Sequence, residues 1–75
     1  MKLNKKQQTP ELMESINAAR VFGSEAHRHG IRRCHDDAAV IDLARNPQFD
    51  HAQRAEIYKA WMQGATKAMF AGAGE

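Results

Sequence analysis

Small and apolar residues recur along the first half of the chain at Leu12, Ile16, Ala19, Gly23, Ala26 and Gly30, spaced four, three, four, three and four apart. That rhythm predicts one continuous face of an α-helix, widened by Met13 and Phe22. Thr9-Pro10-Glu11 marks its start, with a hydroxyl cap, a proline whose missing N–H is harmless in the first turn, and a carboxylate near the positive end of the helix dipole. The helix should stop near His29, where Gly30 takes the left-handed conformation and Arg28 suits the last turn.

A second pattern, Ala38 to Ala44, follows Asp36 or Asp37 as a cap and is closed by Asn46-Pro47, which predicts a short helix. A strand at Val40-Ile41 would have no second β-branched segment to pair with. Asp50-His51-Ala52-Gln53 resembles a capping box and opens a third helix. Ile57, Tyr58, Trp61, Met62, Ala65, Ala68 and Met69 are expected to line its inner face, with Arg54, Glu56, Lys59, Gln63 and Lys67 turned mostly to solvent.

The expected fold is therefore all-α: two long antiparallel helices and one short connecting helix in a small bundle. Residues 1–8, with Lys2, Lys5 and Lys6 and only Leu3 as an anchor, form a basic tail; residues 9–71 form one helical domain, and residues 72–75 fray. Phe22, Ile16, Leu43, Ile57, Trp61 and Met69 are the expected core, with Trp61 as its centre. A glycine inside a helix costs up to about 1 kcal/mol relative to alanine, so Gly23 and Gly64 mark places where another backbone or a bulky neighbour comes close. The row Ala19, Gly23, Ala26 and Gly30, with Trp61 and Gly64, is thus a candidate packing or self-association surface.

Length sharpens this. A chain of 75 residues buries only about 60% of the surface its unfolded form exposes, which favours a homo-oligomer or a partner. With 11 Lys and Arg against 9 Asp and Glu, the net charge of +2 is too small for general coating of nucleic acid. A single cysteine, Cys34, fits a reducing compartment, and no apolar run approaches the roughly 18 residues of a membrane span, so the expected location is cytoplasmic.

Three clusters carry candidate chemistry. Cys34-His35-Asp36-Asp37 has the residue types of a nucleophile with base and orienter, but reactive groups normally converge from separate elements, so no catalytic residue is assigned. His27, His29, His35 and His51 lack paired metal-ligand spacing, and His27 and His29 point about 200° apart on a helix, so neither metal nor cofactor is expected. The third cluster is a basic elbow, Arg28, Arg32 and Arg33 with His27 and His29. Arginine forks match phosphates and carboxylates, which makes it the candidate contact surface, although Asp36 and Asp37 lie near enough in sequence to neutralise two of its charges.

Gly23-x-x-Ala26-x-x-x-Gly30, the basic stretch reaching Cys34, and Ala60-Trp61-Met62-Gln63-Gly64-Ala65-x-x-Ala68 together resemble the two-part pattern of the ribosome modulation factor family and its small phage-encoded relatives, over roughly residues 18 to 69. The resemblance implies a small helical protein that binds ribosomal RNA and ribosomal protein and silences translation. Cys34-His35 stands where the family has a Cys-Pro step, the Val40-Ile41-Leu43 helix has no counterpart, and the charge is well below that of the ribosome-binding member. The expected function is that of a small non-enzymatic phage- or prophage-type protein that inhibits or modulates a host macromolecular complex, in host takeover or anti-defence. The partner is then a host protein complex, with no membrane involved. A ribosome- or RNA-binding translation silencer and a nucleotide-binding oligomer are the alternatives.

Overall fold

The computed structural model describes residues 9–73. The basic tail assigned to residues 1–8 lies outside the described residues, as do Gly74 and Glu75. The chain forms α1 (Pro10–Arg28), a single 3-10 turn (Cys34–Asp36), α2 (Ala38–Ala44) and α3 (His51–Ala73). Among the described residues there is no strand.

Local chemistry sets each boundary. Thr9 Oγ1 accepts the Leu12 N–H at 3.2 Å, and Pro10 occupies the first turn. At the other end of α1, Ile31 N–H donates to Ala26 O at 2.9 Å and Gly30 N–H to His27 O at 3.2 Å. These crossed bonds need a left-handed residue between them, and Gly30 supplies it with φ +79°. Of the two candidate caps for α2, Asp37 is the one used, its Oδ1 accepting the Ala39 N–H at 3.1 Å. Asp50 and Gln53 cap α3 reciprocally, each side chain accepting the other's backbone N–H at 2.8 Å. α3 continues through residues 72 and 73, two positions beyond the expected boundary.

The architecture is a small all-α bundle in which α1 and α3 pack along most of their lengths. Their relative direction differs from the antiparallel pairing expected above. α2 runs back along α3, because Asp37 at its start bonds Trp61 while Ala44 at its end accepts from Arg54. The chain has therefore returned towards the beginning of α1 before α3 starts. Accordingly Gly23 meets α3 around Trp61 and Ala65, and the C-terminal halves of both long helices, from Arg20 to Arg28 and from Gln63 to Ala71, wall a common groove. α1 and α3 run the same way, with α2 as the return leg. The sequence pattern makes α2 look like a connector because it is only seven residues long, yet it is a full layer of the bundle.

Leu12, Val40, Ile57 and Trp61 are fully buried, with Ile16, Phe22 and Leu43 partly buried against them. Three residues expected on buried faces are not inside: Met13 is 57% exposed, Met62 is 53% exposed and Met69 is 52% exposed. Met62 is off the buried arc because Ala60, Trp61 and Gly64 already define it. Met69, seven residues after Met62, lies on the same side of α3 and is off the buried arc for the same reason.

Candidate functional site

The packing joint is the most constrained place in the molecule. A Cβ added to Gly23 would overlap the carbonyl oxygen of Trp61 and sit 2.9 Å from its carbonyl carbon. One added to Gly64 would overlap the carbonyl oxygen of Arg20. Ala19 and Ala60, one helical turn before each glycine, are buried as well. Backbone therefore meets backbone at this crossing, the geometry that small residues four apart on both helices permit. The row read from the sequence is used within the chain at Ala19, Gly23 and Ala26, together with Trp61 and Gly64. Gly30 leaves the row: it is exposed, a Cβ there would meet nothing within 4 Å, and it serves the helix end instead.

Beyond the crossing, a groove opens between α1 and α3. Val21, Gly64, Ala68 and Ala71 make up the apolar part of its lining, its floor, and Arg20, Arg28 and Lys67 the cationic part; His27 lines it too, with Glu25 the one carboxylate. A shallower depression adjoins it through Gln63 and Lys67 and carries the exposed Met62 and Phe70.

The basic elbow is split by this geometry. His27 and Arg28 line the groove, whereas His29, Arg32 and Arg33 lie beyond it; all five are exposed. Asp36 pairs with Arg33 at 3.5 Å across an exposed contact. Asp37 does not neutralise an arginine. It is 8% exposed, and its Oδ2 accepts the indole N–H of Trp61 at 2.7 Å while its Oδ1 caps α2. One carboxylate thus fixes the central tryptophan and the start of the return helix together, and the elbow keeps more free cationic charge than the sequence spacing implies. The Asp37 to Trp61 link spans 24 residues and has no local signature. Arg20, Val21 and Lys67 also escape the sequence pattern, because they form a surface only after α1 and α3 align in the same direction.

The Cys34-His35-Asp36-Asp37 run is dispersed by the fold. Cys34 is buried, with its Sγ 3.6 Å from His35 Nδ1. His35 stacks on Tyr58, with ring centroids 5.8 Å apart and planes inclined by 19°. Both aspartates have other partners, Arg33 and Trp61, so neither orients this histidine. Among the described residues no group of three or more His, Cys, Asp or Glu side chains is placed to hold a metal ion. Nor, among them, is any helix long and apolar enough to cross a membrane.

No family model, curated protein or solved structure matches the chain.

Proposed function

We propose that this chain is a small non-enzymatic binding protein that inhibits or modulates a host macromolecular complex, of the kind phages and prophages use for host takeover or anti-defence. The observation that supports the reading is the elbow. His27, Arg28, His29, Arg32 and Arg33 are all exposed around the end of α1, with Asp37 withdrawn to Trp61 and only the exposed Asp36 beside them. Arg28 at the end of α1, with Arg32 and Arg33 in the segment that follows, presents planar forks to solvent, which suits bidentate capture of carboxylates on a protein face.

The test is affinity capture from a bacterial lysate, with mass spectrometry of the recovered material and a salt series on the complex. The expected result is a host protein complex whose affinity falls with salt, as screening of arginine–carboxylate pairs requires, but without the steep slope of phosphate binding. Ribosomal particles alone, released with a steep slope of about −0.7 per phosphate contact on single strands, would shift the assignment to a translation silencer. Recovery of nothing contradicts the proposal.

A further inference from the structure

We infer that the groove between the C-terminal halves of α1 and α3 receives an acidic amphipathic helix of a partner protein. The inference rests on the reading of the chain as a binding protein and adds to it a place and a class of partner.

Three observations carry it. First, the groove lining combines apolar and cationic side chains: Val21, 56% exposed, and Ala68 line it together with Arg20, Arg28 and Lys67. Second, across Gln63 and Lys67 an adjoining depression of α3 bears two more exposed apolar side chains, Met62 and Phe70, which are 53% and 69% exposed, with Lys59 at its border. A patch of exposed apolar side chains rimmed by charges is the surface expected of a helix-docking groove. Third, the charge is one-sided, with Glu25 the lone carboxylate in the lining of the groove.

An amphipathic helix satisfies all three at once. From Arg20 to Arg28 α1 rises about 12 Å, so the floor receives roughly two turns of a docked helix. Small or apolar residues at helical spacing would lie on Val21 and Ala68, and Asp or Glu on the flanks would reach Arg20, Arg28 and Lys67. Nucleic acid fits less well: the floor offers aliphatic side chains where bases need aromatic faces, and Glu25 would stand against phosphate. A second copy of a chain with net charge +2 meets these cations with less complementary charge than an acidic partner does.

The experiment uses the full chain labelled with ¹⁵N and three probes: a peptide of about 18 residues in which leucine, alanine and glutamate are arranged as an amphipathic helix, its counterpart with lysine for glutamate, and an oligouridylate. The expected result is binding of the glutamate peptide alone, with amide shifts centred on Val21, Ser24, Lys67 and Ala68. The double substitution Arg28→Glu with Lys67→Glu, both at exposed positions, should weaken it at least about tenfold and admit the lysine peptide. Circular dichroism confirms that the double variant is folded. The inference is overturned by any of four results: no shifts at about 1 mM peptide, shifts centred elsewhere, equal binding of both peptides, or tighter binding of the oligouridylate on the same amides. So is a free protein that sediments as a dimer through these residues. The two proposals fail separately. A host complex captured equally by the double variant removes the groove and leaves the binding function, whereas peptide binding without any capture from lysate does the reverse.

Discussion

Gly23 and Gly64 occupy reciprocal places in the joint between the two long helices: each lies against the carbonyl of the residue three positions before the other, Trp61 for Gly23 and Arg20 for Gly64. The arrangement is close to two-fold. Neither glycine is there for a special backbone angle, since both sit inside helices where alanine would ordinarily be preferred. Their role is to leave room for main chain.

Substitution by alanine tests that role against intrinsic preference. Alanine gains up to about 1 kcal/mol from helix propensity, but a methyl group driven into a backbone carbonyl must push the helices apart, and overpacking of that kind costs about 1–3 kcal/mol. Gly23→Ala and Gly64→Ala should each be net destabilising in urea denaturation. The double variant should cost less than the sum, because the first methyl has already opened the joint. Stabilisation by either single substitution would refute the contact.

Gly30 should behave differently. With φ +79° and open space around a Cβ, its substitution meets backbone strain alone. Gly30→Ala should cost about 1–2 kcal/mol and Gly30→Asn less, since asparagine tolerates the left-handed region. Equal midpoints for the two variants would show that strain is not what selects glycine here.

Trp61 and Asp37 can be separated from mere bulk. Trp61→Ala empties the core and should lose about 3–5 kcal/mol. Trp61→Phe keeps most of the ring but strips a buried carboxylate of its 2.7 Å donor, and should still cost about 2–3 kcal/mol. Asp37→Ala should lose the cap on α2, worth about 1 kcal/mol, and also leave the indole N–H without its partner. A Trp61→Phe protein with an unchanged urea midpoint would reduce the link to incidental contact.

The exposed pair Arg33 and Asp36 should matter little to stability. Its side chains are 81% and 59% exposed, a setting in which ion pairs contribute about 0–1 kcal/mol. Arg33→Gln is expected to leave thermal unfolding close to that of the parent, and a large drop would assign the pair a structural role.

Helix ends are the part of this fold most legible in the sequence. Thr9-Pro10, Asp37, Asp50 with Gln53, and Gly30 each satisfy backbone groups within a few residues, so the chemistry that sets them is local. The glycine at position 23 likewise announces a close approach, and Trp61 is where it occurs. Relative direction is not legible, because hydrophobic period shows that a face is buried but not which way its partner runs. It depended on α2 and the segments on either side of it, residues 29–37 and 45–50, together carrying the chain back. The candidate surface is legible in part. Arg28 and His27 stand out as a basic run, whereas Arg20 and Lys67 join them across 47 positions of sequence only in the folded chain.

The measurement that tests the proposed function most directly compares capture of the host complex by the parent chain and by the variant carrying Arg28→Ala, Arg32→Ala and Arg33→Ala. All three positions are exposed, so the variant should melt as the parent does. If the elbow is the contact surface, capture falls at least about tenfold while folding is retained. Undiminished recovery of the same complex by the folded triple variant would contradict it.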